Sequence, residues 1–211
     1  MNNPLHLRFK LGLNIIILGL MIAGCTVTNP VPAYPVSTSE LLLNAEPFPT
    51  DWEVNPCEPY CERAERNGQS GRSFGIVGIP GHVIQNVFHY SSERAAHTTF
   101  DRYKKMNLSE ATPHARGPFS PFQPPPEINY RSPIADEQYL VCGVDVVPAC
   151  VASLRYGQYF IHFYFSLESG YVDGRKIESS GLKLEEIEPI LRAMDERVSL
   201  LLDIPLEVED P

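Results

Sequence analysis

The feature that most constrains this chain is its N-terminal segment, in which a charged start leads into an apolar run that ends at Cys25. Arg8 and Lys10 precede the run, and residues 11–24 are almost entirely apolar. The run is shorter than the roughly 20 apolar residues that a membrane-spanning helix needs. A basic start, a short apolar stretch and small residues before a cut are typical of a secretory signal peptide. We therefore expect residues 1–24 to be removed, so that the folded domain forms from the rest of the chain.

The last four residues of this segment, Ile22-Ala23-Gly24-Cys25, resemble the lipobox of bacterial lipoproteins. The resemblance implies that a dedicated peptidase cuts before Cys25 and that this cysteine carries a diacylglyceryl thioether, with fatty acyl chains such as palmitate. Each buried CH₂ group contributes about 0.8 kcal/mol to membrane binding, so two acyl chains hold a protein far longer than one. We therefore expect a lipoprotein of the cell envelope that is lipid-anchored to the membrane and faces the extracytoplasmic side.

The chain is acidic, with 26 Asp and Glu residues against 17 Lys and Arg residues and a formal net charge of −9. Nucleic-acid binding needs basic patches that neutralise phosphates, so we expect no nucleic-acid partner. An acidic surface also disfavours electrostatic adhesion to anionic lipid, and the lipid on Cys25 is then the only expected membrane anchor. Any further partner is expected to be a protein or a small molecule whose identity the sequence does not reveal.

Four cysteines follow the lipidation site, namely Cys57, Cys61, Cys142 and Cys150. In an exported domain an even set of cysteines predicts disulfides, here two bonds with three possible connectivities. Local pairing is favoured, because a hairpin centred on Val146 would place Cys142 opposite Cys150 within bonding reach. Cys57 and Cys61 would then close a short loop. The alternative, a zinc site with four thiolates, is disfavoured because the spacings C-x₃-C and C-x₇-C depart from those of zinc knuckles.

Proline content and hydrophobic periodicity divide the remainder of the chain. Residues 25–36 are proline-rich and predict a flexible tether, while residues 37–211 are expected to form one extracytoplasmic domain around a single core. Residues 109–133 are a predicted Pro-rich crossover loop, a kind of loop that is often functional or mobile. Predicted strands cover 73–79, 82–90, 139–144, 149–156 and 158–167, and predicted helices end near 106 and cover 184–201.

The predicted elements indicate an α+β fold. The order strand–strand–helix occurs at 73–106 and again at 149–202, so the domain could consist of two repeated halves. An antiparallel sheet with helices packed on it is the most economical architecture for this order. In the last helix apolar residues recur at steps of three and four, which places Met194 and Val198 on the buried face and Asp195 toward solvent or the boundary of that face.

A serine motif is the strongest hint of catalysis in the chain. Residues 71–75 fit the G-x-S-x-G pattern of serine hydrolases, with Ser73 as the nucleophile. That pattern requires a buried strand before the serine and a helix after it. Here a polar stretch precedes the serine and a strand-like stretch follows it, so we predict no catalytic residue. An envelope serine hydrolase that uses Ser73 with His82 or His89 remains the alternative.

The histidines do not predict a metal site. His82 and His89 differ by an odd number of residues, so they face opposite sides of one strand. His97 lies on the following helix, and no H-E-x-x-H motif is present. We therefore predict no metal and no cofactor. His162 lies inside an aromatic strand that is expected to be core, with a ligand platform on one sheet face as the alternative.

The function that the sequence favours is a non-enzymatic binding, sensor or accessory domain. The Pro-rich crossover is the expected recognition surface, with Phe119, Phe122 and Tyr130 as exposed anchors, since aromatic residues on loops often dominate binding energy. An equally supported alternative is that these rings pack back onto the domain. A purely structural lipoprotein that connects membrane and wall is the third hypothesis.

Replacement of Cys25 tests the anchor directly. We expect Cys25→Ser to stay an unlipidated precursor, because the hydroxyl of serine does not receive the thioether-linked lipid. Mass spectrometry measures this: the variant should keep residues 1–24 and lack the mass of the diacylglyceryl group, whereas partitioning alone does not report the lipid because the retained apolar run enters detergent by itself. A diacylglyceryl mass on the variant would show that the lipid is not on this residue.

Overall fold

One antiparallel sheet organises the protein, in a computed structural model that describes residues 36–50, 52–56, 69–75, 83–108 and 119–206. The strands are β1 (Glu53–Pro56), β2 (Gln69–Gly75), β3 (Val83–His89), β4 (Phe119–Gln123), β5 (Glu137–Asp145), β6 (Val147–Tyr156), β7 (Tyr159–Ser166), β8 (Ser169–Val172) and β9 (Arg175–Glu178). The helices are α1 (Glu93–Leu108) and α2 (Ile187–Leu202), the latter preceded by a 3₁₀ turn at Leu184–Glu186. Seven strands pair in the order β1-β2-β3-β7-β6-β5-β4, and β8 and β9 form a separate two-stranded sheet.

The hairpin of β5 and β6 fixes the register of the most regular part of the sheet. Val146 at its turn has φ 68°, and Cys142 pairs directly with Cys150 across the two strands. Their Cα atoms are 4.0 Å apart and the sulfur atoms are bonded as a disulfide, which confirms the predicted pairing of these two residues. The second predicted disulfide, between Cys57 and Cys61, lies outside the described residues.

Each face of the central strand β7 packs against a different helix. Its side chains alternate between the two faces of the sheet, as in any strand. The odd-numbered residues join the larger core beneath α2, whose described members include Tyr159, Ile161, Phe163, Phe165, Val83, Val87, Leu154, Tyr156, Ile190 and Met194. Phe160 faces the other way and packs with Phe100 of α1. The helices therefore cover opposite faces of the sheet, and the predicted α+β architecture is confirmed.

The two predicted strand–strand–helix halves meet at the middle of the sheet. β3, which precedes α1, pairs antiparallel with β7, which precedes α2 in the second half. The halves differ in their connections, because the β8–β9 hairpin and the 3₁₀ turn lie between β7 and α2. Among the residues that the structure describes, no helix is both long and apolar enough to cross a membrane.

A buried glutamine joins the first described segment to the sheet. Gln85 on β3 is fully buried, and its side-chain carbonyl accepts a hydrogen bond from the Leu43 backbone N–H at 2.9 Å. Its amide group donates to the Leu41 carbonyl at 3.3 Å and lies 3.2 Å from the Met194 sulfur. A buried amide with partners for both its oxygen and its nitrogen is tolerated in a core. Gln85 therefore positions residues 41–43 against α2.

The predicted irregular crossover contains a strand, so that prediction is wrong for part of its length. β4 (Phe119–Gln123) pairs with β5 at the edge of the sheet, and its register shifts between Ser120 and Gln123. An edge strand needs partners on one side only, which is why it accepts Pro121. Residues 109–118 lie outside the described part of the chain.

The cross-strand disulfide provides a test of what holds the hairpin together. A double variant, Cys142→Ala with Cys150→Ala, should lower the free energy of unfolding by about 2–3 kcal/mol, because the bond restricts the unfolded chain over a loop of eight residues. Urea denaturation under non-reducing conditions measures the loss.

Reductant supplies the control for this experiment. Under reducing conditions wild type and the double variant should have equal stability, and any loss that reductant causes in the double variant reports on Cys57 and Cys61. Equal stability of oxidised wild type and double variant would show that the bond does not stabilise the fold.

Candidate functional site

A groove of about 780 Å³ lies between the edge strand β4, the hairpin strand β8 and the 3₁₀ turn. Its walls come from residues 120, 121 and 123–127, from 142–144 of β5, and from 167–171 and 182–185. Ligand sites in proteins typically enclose roughly 300–1,000 Å³, so the groove has the size of a binding site. It includes part of the Pro-rich segment that the sequence predicts as a recognition surface.

Two glycines let the walls of the groove approach one another. A Cβ atom on Gly143 would lie 2.9 Å from the Phe122 ring and 3.0 Å from the Phe122 Cα, so only glycine allows β4 to lie this close to β5. A Cβ atom on Gly170 of β8 would lie 3.1 Å from Val144 Cγ2 in the groove wall and 2.9 Å from the Pro148 Cβ. Side chains at these positions would push the walls apart, since real Cβ atoms do not approach other atoms so closely.

Carboxylates dominate the charge around the groove. Glu127, Glu168 and Glu185 are exposed residues of its lining, and they come from three separate stretches of chain. Lys183 is the single basic residue in the same lining. Tyr171 is 65% exposed and offers an apolar surface at the same place. The groove therefore presents negative charge beside an aromatic ring.

Proline removes hydrogen-bond donors from one wall of the groove. Residues 124–126 are three consecutive prolines, and none of them has a backbone N–H. Their carbonyl groups can only accept hydrogen bonds, as can the ionised carboxylates of the lining. The half-buried Cys142, whose sulfur is in the disulfide, also lines the groove. This chemistry suits a ligand that carries positive charge and several N–H donors.

The three predicted aromatic anchors do not form one exposed surface. Phe119 and Phe122 lie on β4 and are half-buried, and Phe122 packs against the cluster beneath α1. Tyr130 is only 8% exposed and belongs to the core beneath α2. For Tyr130 the expectation of an exposed anchor is wrong, and the alternative in which the ring packs back onto the domain describes its position.

A buried carboxylate explains the position of Tyr130. Asp195 on α2 is only 1% exposed, which contradicts the prediction that it lies toward solvent or the boundary of the buried face. Its two oxygens accept hydrogen bonds from the hydroxyl of Tyr130, from the hydroxyl of Tyr156 at 2.6 Å and from Ser132 Oγ at 2.8 Å. A buried charge needs such partners, since isolated burial of a carboxylate is strongly unfavourable.

The two tyrosines act as donors because they keep their protons. Burial and the hydrogen bond to Asp195 together raise the pKa of Tyr130 far above its usual range. Burial, followed by the charge of Asp195 and the hydrogen bond to it, raises the pKa of Tyr156 in the same way. The Arg192 guanidinium lies 4.7 Å from the centre of the Tyr130 ring, where it adds a cation–π contact.

This network clamps the end of the Pro-rich segment to the core. The Gln138 side-chain amide donates to the Tyr130 carbonyl at 2.8 Å, and its oxygen accepts from the Ser132 N–H at 2.5 Å. Asp195 and Gln138 thus hold residues 130–132 from two sides. The Pro-rich wall of the groove leaves β4 at one end and enters this fixed segment at the other.

A histidine with two carboxylates lies outside the groove, on the other face of the sheet. His97 Nδ1 lies 2.8 Å from a Glu137 oxygen, and His97 Nε2 lies 3.7 Å from an oxygen of Asp101. One ligand atom from each of these residues lies within 4.8 Å of the others, so the group could hold a metal ion. The sequence analysis missed it, although Asp101 follows His97 by one helical turn.

Arg155 competes with any metal ion at this group. It forms ion pairs with Glu137 and, at 3.0 Å, with Asp136. Burial opposes ionisation of Glu137, but the hydrogen bonds from His97 and Arg155 outweigh it and lower the pKa of Glu137. We interpret the group as an ion-pair network that joins α1 to β5 and β6.

The serine motif does not form a nucleophile elbow. Ser73 lies inside β2, where it pairs with Asn55 of β1 on one side and with Ile84 of β3 on the other. His89 is five positions along β3 from Ile84, about 16 Å away at the usual strand rise. His89 instead lies 3.2 Å from the Gln158 side-chain oxygen. His82 lies outside the described residues.

A second serine and histidine lie together beneath α1. Ser153 Oγ is 2.9 Å from His162 Nδ1, and Ser153 is fully buried. The Tyr103 ring packs on His162 with the ring centres 4.9 Å apart. Burial lowers the pKa of His162 to about 4, so the ring is neutral at physiological pH. A substrate has no path to so deeply buried a serine, and we assign the pair to the core.

No protein-family model, no curated protein and no solved structure matches this chain. The class that the fold and the site define is an α+β domain with an acidic, proline-walled groove. Function must therefore be argued from the chemistry of that groove.

The buried His162 makes stability depend on pH. Its folded pKa of about 4 is below the 6.5 of an exposed histidine, so between these values the unfolded chain binds more protons. The free energy of unfolding should therefore rise with pH across this window, by at most about 3 kcal/mol, and fall as the pH drops. Urea denaturation at pH 4.5, 5.5 and 7 measures the slope.

A matched pair of variants isolates the contribution of this ring. His162→Gln keeps a polar side chain without the titration and should flatten the slope between pH 4.5 and 6.5. His97→Gln removes an exposed histidine and should leave most of the slope in place. A full slope in the His162 variant would assign the pH dependence to other groups.

Proposed function

We propose that this chain is a lipid-anchored, extracytoplasmic binding domain of a bacterial envelope, and that its groove captures a basic segment of a partner protein. The lipobox resemblance at Cys25 supports the anchor. The disulfide between Cys142 and Cys150 supports an oxidising, extracytoplasmic location. The groove supports binding as the activity.

The observation that carries the proposal is the convergence of three carboxylates on one groove. Glu127, Glu168 and Glu185 belong to distant parts of the sequence, yet they line the same space. Lysine and arginine side chains match these groups in charge, and their N–H donors match the proline carbonyls. Opposite charge also speeds the encounter between partners.

The exposed ring of Tyr171 distinguishes a peptide from a small polyamine. The ammonium groups of a polyamine match the carboxylates, but they are compact and strongly hydrated and do not stack on a ring as a planar group does. A basic polypeptide brings the planar guanidinium groups of its arginines, which stack on aromatic faces. We therefore expect Tyr171 to contribute to peptide binding and to have little effect on a polyamine.

The groove is tested by substitution, since deletion of 117–126 would remove the strand β4. A double variant, Glu168→Gln with Glu185→Gln, should weaken binding of a short lysine- and arginine-rich peptide about tenfold, because each exposed ion pair contributes up to about 1 kcal/mol. Calorimetry at low and high salt measures the affinity. Tyr171→Ala should weaken binding of the peptide and leave binding of spermine unchanged.

Glu178→Gln is the matched control. Its side chain is 75% exposed on β9 and lies outside the groove lining. An equal loss of affinity in this control would show that general surface charge, and not the groove, attracts the peptide. Absence of saturable binding by either probe would reject the proposal in favour of a purely structural lipoprotein.

A further inference from the structure

The C-terminal half of α1 is basic and apolar, in a chain whose net charge is −9. Met106 and Leu108 are 61% and 43% exposed, although both are large apolar residues. We call this surface the α1 patch; it consists of Arg102, Lys104, Lys105, Met106, Leu108 and Arg131, all of them exposed.

Two shallow depressions group these residues on two sides of α1. Lys104 and Leu108 line a cavity of about 240 Å³ together with Arg131, which comes from the segment after the prolines. Lys105 and Met106 line a second depression with Arg102. Met106 and Leu108 are two positions apart and therefore point to different sides of the helix, and Leu108 lies between Lys104 and Lys105 around its circumference.

Few acidic groups offset this charge. Asp101 is the one carboxylate in the lining of the second depression, where His97 also lies, and the lining of the first contains none. The pairing of His97 with Asp101 and Glu137 draws that carboxylate toward the ring. Among the described residues, the patch therefore carries four cations against one nearby anion.

Leu200 on α2 is an exposed apolar residue that can be compared with those of the α1 patch. Leu200 is 81% exposed, more than either apolar residue of the patch. Its neighbours one helical turn away include Glu196 and Asp203, both exposed. Exposed apolar area alone therefore does not distinguish α1, whereas the combination of apolar area with positive charge does.

We propose that the α1 patch docks on an anionic phospholipid bilayer, an inference that rests on the proposed lipid anchor at Cys25. Lysine and arginine side chains are attracted to an anionic surface, and an exposed Leu side chain enters the boundary between headgroups and acyl chains. The flexible stems of Lys104 and Lys105 let their ammonium groups remain at the headgroups while Leu108, which lies between them around the helix, inserts.

The proposed anchor is the reason to expect a membrane, and not another partner, on the α1 patch. Residues 25–36 span at most roughly 40 Å when fully extended, so the lipid holds the domain close to the bilayer at all times. A surface held so close has a high effective concentration toward its partner, and even a weak patch is then occupied. The domain would rest on the membrane through α1 instead of extending away from it on the tether.

Amine footprinting of the wild-type protein tests this orientation. The full-length lipidated chain is reconstituted in vesicles of phosphatidylcholine alone or with phosphatidylglycerol, acylated briefly, and analysed by mass spectrometry. Lys104 and Lys105 should react several-fold more slowly on the anionic vesicles, and high salt should restore much of the rate. Lys176 on β9, whose side chain is 51% exposed, is the internal control and should react equally on both.

A charge reversal that leaves Lys104 and Lys105 unchanged sharpens the test. Arg102→Glu with Arg131→Glu should abolish the protection of Lys104 and Lys105, whereas Arg175→Glu on the exposed strand β9 should leave it intact. Equal reactivity of the two lysines on both vesicles would overturn the proposal. Protection in native membranes without protection on anionic vesicles would also overturn it, in favour of a protein partner.

Retention on the vesicles separates this proposal from the anchor. If the chain stays on both kinds of vesicle while Lys104 and Lys105 react equally, the patch fails and the lipid anchor stands. If the chain is not retained on phosphatidylcholine vesicles, the anchor fails. Protection that is equally strong on the neutral vesicles would overturn the role of charge in the patch.

Discussion

The burial of β7 on both of its faces is the constraint on which the rest of the structure depends. Tyr159, Phe160 and Ile161 are all fully buried, although successive side chains point to opposite sides of the sheet. Such a strand must lie in the middle of its sheet and must be covered twice. This places β3 and β6 beside it, α2 on one face and α1 on the other, and leaves β4 at the edge.

The edge position of β4 creates both surfaces to which we assign a role. An edge strand can end in prolines, because its outer side has no hydrogen-bonding partner to lose. The chain therefore leaves the sheet at 124–126 and is held again by Asp195 at Tyr130. Pro124 and Pro125 line the acidic groove on one side and the cavity of the α1 patch on the other. One short segment separates two surfaces of opposite charge.

The sequence predicts those parts of the fold that depend on local periodicity. The hairpin around Val146 and its disulfide follow from alternation, because a period of two fixes which residues face each other. The sequence does not predict that Asp195 is buried, because its three hydroxyl partners lie 39 to 65 residues away. Strand β4 was not predicted because Pro121 and the following prolines interrupt the alternation of apolar and polar residues that is typical of a strand. The carboxylates of the groove likewise converge only through the tertiary fold.

Net charge is the wrong quantity from which to judge what this domain contacts. A charge acts over about one Debye length, roughly 8 Å at physiological ionic strength, so a docking surface responds to its own neighbours and not to the total. The acidic composition argues against adhesion to anionic lipid only if the charge is spread evenly. The four cations of the α1 patch and the three carboxylates of the groove show that it is not. The composition thus describes the average surface, while the sheet edge and its prolines determine where each sign of charge collects.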